Sequence, residues 1–322
     1  MATYKGIKGF KVQSLASDPT LVEGQVWYNT ASAALKYAGT TTAWTSVNSL
    51  NTARMEVGGA GSQTAAIAFG GSPGPGLFDG ASEEYNGTCW AEGGNLLNAS
   101  AGVIGCGTQT AALRVGGYGG PTGAYKTWTE EYDGTSWTAG GALATARGSI
   151  AVLGIQTAAV GTGGFSPGYS SATEEYNGTS WSSGTAYPAA MAAAGGCGTA
   201  TAGIVVGGSP GTPTATNTYN GSAWTAGGAM GTGRNYSYMS GATLAAVMAA
   251  GGGPVVVENC EQYDGSAWAE VANLNSARKA GATNMSTATQ TAGLVAAGST
   301  GTRTNICEEF GPGTIAKTVT TS

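Results

Sequence analysis

The chain of 322 residues carries 18 acidic and 13 basic side chains, for a formal net charge of −5, and contains no histidine. The scattered Lys and Arg give no reason to expect nucleic acid as a partner. No apolar run approaches the ~18 residues of a membrane helix, so we expect no membrane insertion. Without histidine, the usual Ser-His-Asp and Cys-His nucleophiles and every histidine metal site are excluded. We therefore expect neither an enzyme nor a cofactor.

Glycine accounts for 57 of the residues, about two and a half times its usual ~7% share. Eight Trp and fourteen Tyr stand among short alternating apolar runs, a pattern typical of strands rather than of a disordered chain. Only 10% of the residues are charged, against a usual ~25%, so uncharged polar residues and glycine must cover much of the surface. The composition predicts a folded all-β protein.

Residues 1–34 precede the repeated part of the chain, and we treat them as a separate N-terminal segment. The chain starts without the apolar core of a signal peptide. Residues 23–37 read EGQVWYNTASAALKY, and the most diagnostic of them are Trp27, Tyr28, Asn29 and Thr30. This stretch resembles the opening of bacteriophage virion proteins, especially from marine phages, where it leads into fibre or appendage modules. The resemblance implies that the protein is attached to a virus particle. A virion protein needs no secretion signal, because lysis of the host cell releases it.

Six tryptophans recur at intervals of 43 to 47 residues: Trp44, Trp90, Trp137, Trp181, Trp224 and Trp268. A regular period of this size indicates a repeat architecture. Five of them close near-copies of one octapeptide, EEYNGTSW at 174–181. Ten residues after each tryptophan is a position that we call the Arg position, occupied in turn by Arg54, Ser100, Arg147, Met191, Arg234 and Arg278.

The sequence pattern predicts four short strands, a to d, in each unit. Strand a begins near the Arg position, and a Gln-Thr turn marked by Gln63, Gln109 or Gln156 leads to strand b, which ends on a Gly pair. Strand c contains Glu-Glu-Tyr, and strand d carries the Trp. Asn-Gly or Asp-Gly between strands c and d predicts a hairpin with a type I′ turn, which needs positive φ at both central residues.

Four strands per unit at this period predict a β-propeller, which we assign to residues 35–322. Six blades fit between Trp44 and Phe310, and seven are possible if GQVWYNT and ALKY form most of another. The last unit has a strand c but no Trp after it, whereas Trp44 has no strands a and b before it. We therefore predict that an N-terminal strand completes the sixth blade.

The Gly pair, the Tyr, the Trp and the following Arg together resemble the kelch repeat, from which Ser100 and Met191 depart. A glutamate also stands two residues before the aromatic residue of strand c in five units: Glu83, Glu130, Glu174, Glu261 and Glu308. Glycosidases use a carboxylate pair, but an active site is single, whereas these residues recur around the ring. We predict that they form ion pairs with Arg54, Arg147, Arg234 and Arg278.

The connections between strands b and c differ most between units and should share one face of the propeller with the d–a connections. They read SPGPGLFDGAS at 72–82, YGGPTGAYKTW at 118–128 and SPGYSSA at 166–172. Large aromatic residues on glycine-rich loops are candidate recognition anchors. The predicted binding residues are Phe78, Tyr118, Tyr125, Trp128, Phe165 and Tyr169. The alternative is that these rings fold back over the edges of their own blades.

These patterns together predict a structural protein of a bacteriophage virion, assembled in the host cytoplasm as a tail- or fibre-associated appendage. Its partners would be other virion proteins, through the N-terminal segment, and a receptor or glycan of the host surface, through the propeller. Three alternatives stay open. One is a purely structural capsid decoration or tail collar, another is a cellular kelch-type interaction scaffold, and the last is a polysaccharide lyase or hydrolase with an isolated carboxylate.

Overall fold

A computed structural model describes residues 12–22, 24–210, 214–282 and 289–319. Their regular secondary structure consists of β-strands, and none of them belongs to a helix that could cross a membrane. The chain divides into two compact units, Met1–Ala43 with Gly311–Ser322, and Trp44–Phe310. Residues 1–11 of the predicted attachment segment, and Glu23 of its motif, lie outside the described residues.

The first unit contains a small sheet whose strands are held around one aspartate. Its strands are β1 (Gln13–Leu15), β2 (Val26–Asn29) and the start of β3 (Ala34–Val47). β1 pairs in parallel with β2, and β2 pairs antiparallel with β3. Asp18 accepts hydrogen bonds from the side chains of Trp27 (3.1 Å), Asn29 (2.6 Å) and Lys36 (2.9 Å). These bonds, that of Lys36 foremost, hold the pKa of Asp18 below its usual value. The motif residues Trp27 and Asn29 therefore have a structural role.

The second unit is a β-propeller, and its first five blades are four-stranded antiparallel sheets in the order a-b-c-d. Blade 1 contains β4 (Gly58–Ser62), β5 (Ala65–Phe69), β6 (Ser82–Tyr85) and β7 (Trp90–Glu92). Blade 2 contains β9 (Ile104–Thr108), β10 (Ala111–Val115), β13 (Thr129–Tyr132) and β14 (Trp137–Ala139). A small sheet lies beside blade 2. It contains the short strand β8 (Ser100–Ala101), which precedes strand a, and the two strands of the b–c hairpin, β11 (Tyr118–Gly119) and β12 (Ala124–Tyr125).

The next three blades repeat the pattern. Blade 3 contains β15 (Ala151–Ile155), β16 (Ala158–Thr162), β17 (Thr173–Tyr176) and β18 (Trp181–Ser183). Blade 4 contains β19 (Gly195–Thr199), β20 (Ala202–Val206), β21 (Thr216–Tyr219) and β22 (Trp224–Ala226). Blade 5 contains β23 (Tyr238–Thr243), β24 (Ala246–Ala250), β25 (Cys260–Tyr263) and β26 (Trp268–Val271).

The sixth blade is completed by the N-terminal strand. Its strands b and c are β27 (Gly293–Ser299) and the first half of β28 (Arg303–Thr318), and β3 lies next to β28 as strand d. Trp44 on β3 packs on Phe310 with ring centres 5.2 Å apart. The predicted six-bladed fold and its closure are confirmed. The hairpin of β2 and β3, which a seventh blade would have needed, belongs to the sheet of the first unit instead.

Buried side chains link each blade to the next. Among the described residues they form six clusters, each shared by two neighbouring blades, and one cluster joins blade 6 to blade 1 through Leu294 and Ala66. Polar side chains add bonds across the same interfaces. The hydroxyl of Tyr176 donates to Glu131 of the preceding blade (2.5 Å), and that of Tyr85 donates to Glu309 of blade 6 (2.7 Å). The ring is therefore closed by apolar and polar contacts alike.

The predicted ion pairs are present within the blades. Arg54 contacts Glu83 and Arg147 contacts Glu174, both at 2.7 Å, with all four side chains buried. The equivalent pairs in blades 5 and 6 are Arg234 with Glu261 and Arg278 with Glu308. Each arginine also donates to backbone carbonyls near the b–c loop, so the pair fixes both the loop and the start of strand a.

The predicted type I′ turn between strands c and d is wrong, although the hairpin is present. In blade 1, Tyr85 pairs with Trp90, so four residues separate the strands, and Gly87 is the one with positive φ, 87°. The side-chain oxygen of Asn86 accepts hydrogen bonds from the two backbone N–H groups after Gly87, both at 2.9 Å. The asparagine thus stabilises a wider turn through its side chain rather than by adopting positive φ itself.

Candidate binding site at the mouth of the propeller

A ring of six residues surrounds the propeller axis just before the strands a. The residues stand two positions after the Arg position in each unit: Glu56, Gly102, Ser149, Ala193, Tyr236 and Ala280. All six have positive φ, from 51° to 60°. The backbone N–H of each donates to the carbonyl of the equivalent residue in the preceding blade, at 2.5 to 3.1 Å, and Glu56 closes the cycle by donating to Ala280. We call this ring the collar.

The collar uses its own backbone donors and acceptors, so its side chains are what it can offer a ligand. Residues that follow it, including Val57, Val103 and Ile150, line a cavity of only about 40 Å³, which leaves room for little more than a water molecule. The collar leads directly into the strands a, and therefore lies at the face that carries the b–c and d–a connections. It forms the floor of any site on that face.

Five of the six predicted binding residues form one continuous aromatic row beside the collar. Successive ring centres in the row Phe78, Tyr118, Tyr125, Phe165 and Tyr169 are 5.7, 5.8, 5.8 and 5.1 Å apart, all in edge-to-face geometry. Such geometry is the preferred contact between aromatic rings. The row crosses from the loop of blade 1 through blade 2 to the loop of blade 3, rather than folding each ring over its own blade.

Short β-structure in the loops positions these rings. Tyr118 and Tyr125 are directly opposed in the β11–β12 hairpin, and Phe165 forms bridges with Gly148 and Tyr169. Opposed residues of a ladder project to the same side, which brings neighbouring rings into contact. Tyr169 is 43% exposed, and the other four rings are half-buried. The row is therefore a supported surface that remains accessible.

Trp128 is the predicted binding residue that does not join the row. It is half-buried, with the guanidinium of Arg114 at 5.2 Å and the ammonium of Lys126 at 4.9 Å from its ring centre. These distances are typical of cation–π contacts. Trp128 therefore packs with the cations of its own blade, away from the other five aromatic residues.

A cavity of about 300 Å³ lies between the aromatic row and the collar. Four rings of the row, Tyr118 to Tyr169, line one side, and Glu56, Ser149 and Tyr236 of the collar line the other. The hydroxyl of Tyr118 donates to the Glu56 carboxylate, and its ring lies over Gly102, where a Cβ would be only 2.6 Å from ring carbon Cε1. Glycine in the collar of blade 2 thus makes room for Tyr118.

Three tyrosines of this cavity, Tyr118, Tyr125 and Tyr236, have a raised pKa and are hydrogen-bond donors at neutral pH. Burial raises the pKa of Tyr118, and the nearby charge of Glu56 raises it further. The same two causes raise the pKa of Tyr125. Burial also raises the pKa of Tyr236, against a smaller lowering effect of a hydrogen bond with Ser149. The cavity therefore combines one carboxylate with neutral phenol groups.

A second cavity of about 360 Å³ adjoins the first at Glu56 and Tyr236 and extends over blade 6. Its other wall carries two cations, Lys279 and Arg303. Both residues lie in ladder positions beside Ser299, one on either side, so they project to the same side of the sheet. Lys279 donates to the carbonyl of Pro254 (3.1 Å), and Arg303 donates to Ser72 (2.9 Å to its carbonyl). Neither cation has a carboxylate partner among the described residues.

The residue pattern of the sequence did not predict the collar. The six positions keep the same spacing as the tryptophans, so aligning the units would have located them. Their residue types differ, however, and a set of Glu, Gly, Ser, Ala and Tyr does not indicate a shared positive φ. Within the described ranges, His, Cys, Asp and Glu nowhere form a group of three that could hold a metal.

The second unit is thus a six-bladed β-propeller with an aromatic row and a cationic wall around a floor closed by hydrogen bonds. No family model matches the sequence, and no curated protein matches it.

Proposed function

We propose that this chain is a structural protein of a bacteriophage virion, a tail- or fibre-associated appendage whose kelch-like propeller contacts a glycan or receptor of the host surface. The N-terminal segment would bind other virion proteins, and the protein would be located in the virion after assembly in the host cytoplasm. The virion part of this proposal rests on the resemblance of residues 23–37. The binding part rests on the aromatic row and the cavity beside it.

The aromatic row is the observation that carries the proposal for recognition. Loops of three blades converge to form the row, and four of its five rings line a space of about 300 Å³ together with one carboxylate and several hydroxyl groups. Ligand sites combine aromatic walls with a few polar groups in this way. Rigid aromatic residues also lose little conformational entropy when they bind. This combination suits a sugar, which has apolar ring faces and many hydroxyl groups.

The first unit offers a surface suited to attachment. Val26 pairs with Tyr37 and Tyr28 pairs with Leu35 across the β2–β3 hairpin, so these four side chains share one side of it. Each of them is 37% to 45% exposed. An exposed apolar group of this kind is typical of interaction sites. It supports the proposal that the N-terminal segment contacts another virion protein.

Binding without catalysis is the simpler interpretation of the two cavities beside the collar. Among the described residues that line the two cavities, Glu56 is the only acid, whereas most glycosidases need two carboxylates. Release of reducing sugar from host polysaccharide by the purified protein would contradict this part of the proposal.

The decisive experiment measures binding of labelled protein to intact host cells. We expect saturable binding by the intact protein and at least tenfold weaker binding after Tyr125→Ala and Phe165→Ala together, since both rings lie in the middle of the row. Trp128→Ala is the matched control, because it removes a larger half-buried ring from the same face but outside the row. Circular dichroism and thermal unfolding should show that the variants stay folded.

Two outcomes would overturn the proposal of host recognition. The folded protein could fail to bind host cells, which would favour a purely structural capsid or tail component with the row covered by a neighbouring subunit. Alternatively, the double variant could bind as well as the intact protein, which would remove the row from the contact. Attachment is tested separately, by mass spectrometry of purified particles after Tyr28→Asp and Leu35→Asp, which we expect to remove the protein from the particle.

A further inference from the structure

The two cavities of this face lie next to each other and have chemically different walls, and we call them together the trough. They share Glu56 and Tyr236 at the centre. Aromatic rings of blades 2 and 3 line one end, and Lys279 and Arg303 of blade 6 line the other. A ligand long enough to occupy both cavities would therefore meet an apolar wall, a polar centre and a cationic wall in that order.

The centre of the trough can accept hydrogen bonds from neutral hydroxyl groups. The Glu56 carboxylate has about four acceptor positions, of which Tyr118 occupies one on Oε2. The carboxylate would repel an anionic group placed beside it, since like charges at close range are unfavourable. A sugar with free hydroxyl groups fits this position, and an acidic group of the ligand does not.

The side chains of the cationic end have more N–H donors than their hydrogen bonds to the protein use. Lys279 has three N–H donors, one of which reaches Pro254, and Arg303 has five, of which Nε and one on Nη2 reach Ser72. Both residues line a cavity whose described lining residues include no carboxylate other than Glu56. Because bonds from cations to an ionised acceptor are about twice as strong as neutral ones, this end is best matched by an anion.

We propose that the trough binds an acidic oligosaccharide, with a neutral sugar ring against the aromatic row and a carboxylate or sulfate group on Lys279 and Arg303. The inference rests on the proposed function, because it defines the class of glycan that the mouth recognises. Glu56 between the two ends sets the order of the units, since it accepts hydroxyl groups and excludes the acidic group from the centre.

The experiment compares charged glycans with their neutralised counterparts. Binding of the full chain is measured to immobilised polygalacturonate, polysialic acid and a sulfated galactan, and to the same polymers after carboxyl reduction or desulfation. We expect at least one acidic polymer to bind tenfold or more tightly than its neutral counterpart, with an affinity that falls as salt is raised.

Matched variants assign the effect to the cationic end. Lys279→Met should abolish most of the preference for the acidic polymer, because it keeps the length of the stem and removes the charge. Lys126→Met removes one positive charge beside Trp128, outside both cavities, and should leave the preference unchanged. Arg303→Gln provides a second variant should Lys279→Met fail to fold, as checked by thermal unfolding.

The outcomes separate this inference from the proposed function. If neutralised and acidic polymers bind equally, or if Lys126→Met and Lys279→Met lower binding equally, the acidic class is wrong while recognition of host cells can still hold. If no acidic polymer binds although host cells are bound, the inference is again wrong. If host cells are not bound at all, the proposed recognition itself fails.

Discussion

Blades 3 and 4 are neighbours with the same four-stranded pattern, but buried residues of different chemistry stabilise them. In blade 3, Arg147 lies 2.7 Å from Glu174, and both are buried. In blade 4, Met191 and Asn217 occupy the same two positions. Asn217 donates to the hydroxyl of Tyr187 at 2.8 Å, and Met191 packs in the apolar cluster that contains Tyr187. Both partners of the ion pair are therefore replaced together.

The joint replacement follows from the energetics of buried charge. Removing one member of a buried pair leaves an uncompensated charge, whereas replacing both with well-packed residues can be nearly neutral. Blade 2 shows an intermediate arrangement. Ser100 stands in the Arg position, and Arg114 on strand b bonds to the Ser100 hydroxyl (2.5 Å) and lies 3.7 Å from Glu130. The blade backbone thus tolerates three arrangements, provided that no buried charge lacks a partner.

The largest expected effect comes from removing half of the pair in blade 3. Arg147→Ala leaves Glu174 buried without its cation and should lower the free energy of unfolding by about 3–5 kcal/mol. Transferring the residues of blade 4, as Leu143→Tyr, Arg147→Met and Glu174→Asn together, should restore most of this loss. Urea unfolding of the two variants measures the difference. Equal destabilisation by both would show that the two blades are not interchangeable in this respect.

A smaller effect is expected from the tyrosines that link neighbouring blades. Tyr176→Phe removes the hydrogen bond to Glu131 and should cost about 1.5–3 kcal/mol, the range of hydrogen bonds to charged groups. Tyr263→Phe is the control, because Thr218 stands where the acceptor glutamate would be, and the hydroxyl of Thr218 donates to the carbonyl of Thr225. A control variant as unstable as Tyr176→Phe would show that the link to glutamate contributes nothing.

The same links predict a dependence of stability on alkaline pH. Burial, together with the bonded glutamate, raises the pKa of Tyr132, Tyr176 and Tyr219 to about 12, from 10. A raised pKa in the folded state means that the contribution is complete below pH 10 and is lost as the pH rises toward 12. Unfolding midpoints measured between pH 8 and 12 should fall less steeply for Tyr219→Phe. An unchanged slope would contradict the assignment.

Features that recur along the chain could be predicted from the sequence. Repeated residues mark repeated contacts, so the tryptophan period defined the blades, and the paired recurrence of Arg54 and Glu83 indicated an ion pair. The missing Trp after Phe310 and the unpaired Trp44 together indicated the closure. For the aromatic row, the sequence predicted that the rings share one face of the propeller, but it did not predict that they contact one another.

Three features of the structure could not be predicted from the sequence. The collar combines positive φ with hydrogen bonds between blades, and the bond from the N–H of Glu56 to the carbonyl of Ala280 joins residues far apart in sequence. The role of Arg114 was not predicted either, because Arg114 lies on strand b of its blade, whereas Arg147 precedes strand a. The type I′ prediction failed because the side chain of Asn86 supplies the acceptor that defines the turn.

The closure of blade 6 has a consequence for synthesis of the protein. Leu50 and Asn305, whose amide groups and carbonyls bond across this closure, are 255 residues apart. At ~5–20 residues per second of translation, the strand carrying Trp44 leaves the ribosome roughly 13–50 s before its partner strand exists. Its apolar face must stay unpaired for that time. The ring therefore becomes complete in one late step, and until then blades 5 and 1 each have a side open to solvent.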